Sequence, residues 1–121
     1  MGCENSLKFP CEITQGGDAA AYGMLKLLAT GAPITPADVE QATLYAFHLD
    51  TAEQTFAASV AGVVLSSVAA SPVEHNVRLI VPATAFPLAG RYAVELHVVE
   101  VGGAQRWLTA EVRAHAVFAA G

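Results

Sequence analysis

The sequence predicts an all-β fold, an antiparallel β-sandwich of seven to eight strands. Three observations carry that prediction. Apolar and polar residues alternate with a period of two along most of the chain. Turn residues recur at regular spacing between the alternating runs. No amphipathic helical pattern of ten residues is present, which leaves a parallel α/β sheet without its crossover helices. At 121 residues the chain has room for one small domain, 1–121, with residues 1–6 as an N-terminal arm.

The elements follow in order. Leu7, Phe9, Cys11 and Ile13 alternate with Lys8, Pro10, Glu12 and Thr14, a first strand. Pro10 cannot donate a ladder hydrogen bond, so this strand belongs at an edge or carries a bulge. After the turn Gln15-Gly16-Gly17-Asp18 comes a second strand, 20–28. Thr35-Pro36-Ala37-Asp38 suits one capped helical turn with Pro36 at its first position. A third strand spans 42–49, with Thr43, Tyr45, Phe47 and Leu49 on one face. Residues 55–60 and 63–68 read as short strands, weakened by alanine, and 53–71 is the stretch most easily mistaken for a helix. Residues 76–81 place Val77, Leu79 and Val81 on one side. The clearest strand is 90–101: Tyr92, Val94, Leu96 and Val98 point one way, and Arg91, Ala93, Glu95 and His97 the other. After Gly102-Gly103 the chain returns along 105–118, with Leu108, Ala110, Val112 and Ala114 inward.

The last hairpin allows a register argument. A slip by one residue would bury charges, so its loop holds an odd number of residues. A three-residue loop, 102–104, sets Val98 opposite Leu108, Glu100 opposite Arg106 and Glu95 opposite Glu111. A five-residue loop, 102–106, sets Glu95 opposite Arg113 and His97 opposite Glu111. Turn geometry favours the shorter loop and charge the longer.

Composition narrows the function. Hydrophobic residues make up 54% and charged residues 14%, too apolar for disorder and high for an isolated soluble domain. Six basic residues against eleven acidic ones argue against a nucleic-acid partner. The uncharged run 55–73 is broken by Gly62 and Pro72 and reads as sheet or loop rather than a membrane span. No secretory signal is expected, because the N-terminus lacks an apolar core region. Met1-Gly2-Cys3 with Ser6 matches the N-myristoylation pattern, with Cys3 open to palmitoylation. That motif is short and permissive, and no membrane partner is expected. Cys11 falls on the apolar side of its run, a buried thiol; a bridge to Cys3 needs the segment to hairpin back, whereas an extended strand would hold the two far apart.

Nothing in the sequence makes a catalytic constellation. Glu95, His97, Glu111, Arg113 and His115 share the outer face of the last hairpin, where Glu111 could orient His97 as a base. A flat solvated sheet face is the better reading, since catalysis needs a concave site. His48, His75, His97 and His115 are too dispersed for metal-ligand spacing, and His48 is expected on the outward side of its strand beside Asp50. No metal and no cofactor are expected. Trp107 should face outward near Val99, where either a loop or the N-terminal segment of the same chain covers it or, with Phe118, it contacts a neighbour.

Four motifs carry a family resemblance: Ile13-Thr14-Gln15-Gly16-Gly17-Asp18, Gly31-Ala32-Pro33-Ile34, Ala42-Thr43-Leu44-Tyr45-Ala46-Phe47 and Leu88-Ala89-Gly90-Arg91-Tyr92-Ala93-Val94-Glu95. Their order over residues 6–118 resembles the immunoglobulin-like N-terminal domain of phage baseplate upper proteins and related tailed-phage virion domains. The segment Thr35-Pro36-Ala37-Asp38-Val39 is longer than the family's turn. The resemblance implies an immunoglobulin-like sandwich in which Gly17 takes positive φ at a tight turn and Gly90-Arg91-Tyr92 forms a tyrosine corner. It implies a non-catalytic virion structural or assembly protein, a tail or baseplate component or a capsid decoration protein. Its partners would be other copies of itself and other virion proteins. The alternative is a bacterial surface or periplasmic immunoglobulin-like protein-binding module.

Overall fold

The structure is a computed structural model and describes residues 7–8, 12–14 (backbone only), 19–27, 29–71 and 73–115. Cys3, Cys11, Gly17, Phe118 and the arm 1–6 lie outside the described residues. The chain forms an all-β sandwich. In chain order the strands are β1 (Leu7–Lys8), β2 (Glu12–Thr14), β3 (Ala19–Gly23), β4 (Val39–His48), β5 (Glu53–Ser59), β6 (Val64–Ala69), β7 (His75–Val81), β8 (Gly90–Glu100) and β9 (Gln105–His115). Two single 3₁₀ turns, Pro36–Asp38 and Ala83–Ala85, join them. One sheet has the order β1-β3-β7-β6 and the other β2-β9-β8-β4-β5.

Nine strands are described where seven to eight were expected, because the first expected strand is two. β1 pairs with β3 in one sheet, and β2 pairs with β9 in the other. Pro10, with no N–H to give, stands between them in the sequence. The β2–β9 pair is parallel, so the sandwich is not wholly antiparallel.

The core lies between the two inner faces. Leu44 and Ala46 of β4, Tyr92, Val94 and Leu96 of β8 and Val77 of β7 are fully buried there. Period-two alternation puts them inside: β8 and β9 each alternate buried and more exposed positions along their length. Each large apolar side chain so removed from water contributes about 1.5–3 kcal/mol before entropy is counted.

The β3–β4 connection is held by a buried side chain. Leu25 and Ile34 plug the sandwich end, joined by Ile34 N–H to Leu25 C=O at 3.0 Å. Asn76, fully buried on β7, binds both. Its Nδ2 donates to Leu25 O at 2.8 Å and Ile34 O at 3.1 Å, and its Oδ1 accepts from Leu25 N–H at 2.8 Å. The following 3₁₀ turn begins at Thr35-Pro36. The Asp38 carboxylate reaches back to Thr35 N–H at 2.9 Å and to its hydroxyl at 2.9 Å.

The last hairpin departs from both expected registers. Leu96 faces Leu108, His97 faces Trp107, Val98 faces Arg106 and Glu95 faces Thr109. The loop has three residues, 101–103, closed by Gly103 N–H to Glu100 O at 2.8 Å and Glu100 N–H to Ala104 O at 2.8 Å. The expected odd length is met, but the loop starts one residue earlier. The cause is the left-handed position that ends such a loop. Gly103 fills it at φ +98°, where the 102–104 loop would have put Ala104. Charge follows: Glu95 does not meet Glu111, and Arg106 reaches Glu100 diagonally at 3.4 Å. Arg91 falls opposite Arg113 but turns to Asp50 at 3.3 Å. Gly103→Ala should cost about 1 kcal/mol, the penalty of left-handed backbone for a residue with Cβ, read as a lower urea midpoint.

Candidate functional site

The site is the outward face of the five-stranded sheet. Because Ala42, Leu44 and Ala46 point inward, the alternate residues Thr43, Tyr45 and Phe47 of β4 point outward. β8 adds Ala93, Glu95, His97 and Val99, and β9 adds Gln105, Trp107, Thr109 and Glu111. Across this surface runs a line of rings. Phe47 and Tyr45 stack at 6.1 Å and 18°. Tyr45 and Trp107 lie 6.3 Å apart, bridging from β4 to β9 over β8. Trp107 stacks on His97 at 4.0 Å and 20°. His97 Nε2–H donates to Gln105 Oε1 at 2.9 Å, which fixes the imidazole's orientation over the indole. Trp107 is 51% exposed and Tyr45, Phe47 and His97 are half-buried, so the row is partly open to solvent.

Several expected positions are corrected here. Trp107 does face outward, but its cross-strand neighbour is His97 rather than Val99, which pairs with Gln105. Glu111 lies opposite Ala93, so it does not orient His97. His48 is not on the outward side of its strand: it is buried at 4% exposure on the inner row with Ala42, Leu44 and Ala46. The small neighbours leave room for its ring against Tyr92, centroid to centroid 4.9 Å. Both ring nitrogens are satisfied there, Nε2–H by Ala89 O at 2.9 Å and Nδ1 by the Thr51 hydroxyl at 2.8 Å.

Tyr92 and Gly90 sit together at that end of the sandwich. The Tyr92 hydroxyl donates to Leu88 O at 2.6 Å and accepts from Leu88 N–H at 2.9 Å. Its ring packs edge-on against Phe86 at 5.0 Å. Burial pushes the Tyr92 phenol above its ordinary range, against the opposing pull of the Leu88 N–H. Gly90 has φ +131°, and a Cβ there would fall 2.7 Å from His48 Nε2 and closer still to Asp50. Asp50 itself is held below the usual carboxylate range, first by the Arg91 backbone N–H.

Other surfaces carry less chemistry. Two shallow grooves, of about 230 and 370 Å³, flank the 60–63 connection between β5 and β6. Glu40 lines one and Arg78 the other, with no converging set of ionisable groups. Among the described residues no group of three or more His, Cys, Asp or Glu is placed to hold a metal ion. No described helix is long and apolar enough to cross a membrane. Comparison with known protein families, curated proteins and solved structures finds no match to this chain.

Proposed function

We propose that this protein is a non-catalytic structural module that assembles with other copies of itself, built as an immunoglobulin-like sandwich. The setting implied by the motif resemblance is the virion of a tailed bacteriophage, as a tail or baseplate component or a capsid decoration protein. The observation that carries the reading is the line Phe47–Tyr45–Trp107–His97 on a solvent-facing sheet. Aromatic rings give large contact area at low entropic cost and are enriched where proteins bind one another. The strand order supports the fold assignment. The orders β1-β3-β7-β6 and β2-β9-β8-β4-β5 are in keeping with the four- and three-stranded sheets of an immunoglobulin-type sandwich, with β2 and β5 as two added edge strands. The Tyr92–Leu88 closure is in keeping with a tyrosine corner at the entry to its penultimate strand.

Light scattering on the purified protein tests this. The expected mass exceeds 12.5 kDa and rises with concentration. Trp107→Ala should weaken association by about tenfold or more, the hot-spot range, while leaving the thermal midpoint nearly unchanged because the indole is half exposed. A wild-type protein that stays monomeric at every concentration overturns the proposal.

A further inference from the structure

Among the described residues four strands end the two sheets: β1 and β6 in one, β2 and β5 in the other. Exposed edges invite pairing with another chain, and folded proteins blunt them with short length, bulges, charge or proline. β1 has two residues and β2 three. β6 meets β7 only at Val64–Val77 and Ala69–His75, with an irregularity between. β5 differs. Its one irregularity is at Thr55, whose hydroxyl turns in to Ala85 O at 2.8 Å and Ala46 O at 3.3 Å. Beyond it, Phe56 to Ser59 pair regularly with β4, and Val60 N–H continues the ladder to Ala42 O at 3.0 Å. No charge and no proline occur from Gln54 to Ser59.

We infer that the free edge of β5 pairs antiparallel with β5 of a second copy, about a two-fold axis through Ala58. The inference rests on the self-assembly reading above and assigns it a contact. The axis is chosen by side-chain size. It sets Phe56 against Val60 of the other copy, both already packed on the core, and Ala58 against Ala58. On the outer face it sets exposed Ala57 against exposed Ser59, two residues small enough for close approach. A parallel, in-register pairing would instead bring Phe56 onto Phe56 and Glu53 onto Glu53, and facing like charges are destabilising. The antiparallel arrangement carries the two Glu53 carboxylates to opposite ends of the contact. The product is one continuous sheet made of two five-stranded halves. A contact only five residues long lies below the roughly 1,200–2,000 Å² of a stable interface, so it operates where copies are already gathered.

Cysteine cross-linking tests the register. In a Cys3→Ser, Cys11→Ser background, Ala57→Cys and Ser59→Cys proteins are mixed under mild oxidation. Directly opposed residues bring Cβ atoms within disulfide reach. The mixture should form several-fold more covalent dimer than either protein alone, and more than a mixture of Ala57→Cys with Ser71→Cys. Circular dichroism confirms that each variant is folded. Yields no higher than this control overturn the edge contact; if wild-type mass still exceeds 12.5 kDa, the assembly reading survives and the contact lies elsewhere. A wild-type protein that is only ever monomeric overturns both.

Discussion

Asn76→Ala is expected to lower the unfolding free energy by about 3–5 kcal/mol. The alanine leaves Leu25 N–H and Ile34 C=O without the partner they have at 2.8 and 3.1 Å, and Leu25 C=O loses the Asn76 donor at 2.8 Å while keeping Ile34 N–H at 3.0 Å. A buried backbone group stranded in this way costs about 1–3 kcal/mol, and partial relaxation keeps the sum below the maximum. Asn76→Asp keeps the size but replaces two N–H donors with an acceptor facing two carbonyls, so it should be at least as damaging. Urea titration gives the loss, and amide exchange locates it: Leu25 N–H should exchange faster in Asn76→Ala than the global loss alone explains. A loss under about 1 kcal/mol, with Leu25 protection intact, would show that the connection holds itself.

Tyr92 separates packing from hydrogen bonding. Tyr92→Ala removes a fully buried ring from between His48 and Phe86 and should cost about 3–5 kcal/mol. Tyr92→Phe keeps the ring and loses only the two bonds to the Leu88 backbone, about 1–2 kcal/mol. The phenol also imposes a pH dependence. Its folded pKa lies above its unfolded value because burial disfavours the phenolate. The stability it contributes is therefore fully present below the ordinary phenol value of about 10 and is lost as pH rises through the folded value. Thermal midpoints measured through the alkaline range should fall for the wild type and fall less for Tyr92→Phe. Parallel curves for the two proteins would contradict this assignment.

The inner rows of β8 and β9 were legible from the residues, since Arg91, Glu95 and His97 on β8 and Thr109, Glu111 and Arg113 on β9 mark the alternate, outward positions. What could not be read there was the register. Both weighed loops satisfied the alternation, and the choice turned on which residue tolerates left-handed backbone; Gly103 at the third loop position was the available signal. Asn76 was hidden for another reason. Alternation with Val77 and Leu79 assigns it to the outer side, and only the β3–β4 connection, folding over it, makes it interior. The aromatic line was half visible. Tyr45 and Phe47 alternate with inward Leu44 and Ala46, but their meeting with Trp107 crosses two strand boundaries and depends on the same register.

The division of the first expected strand between the sheets has a mechanical meaning. The chain enters β2 at Glu12 and leaves β9 at His115, and these two strands run side by side in the same direction. Tension applied through the two termini therefore drags the pair past one another lengthwise, so their rungs must yield together instead of unzipping singly. A domain threaded in this way resists being stretched end to end.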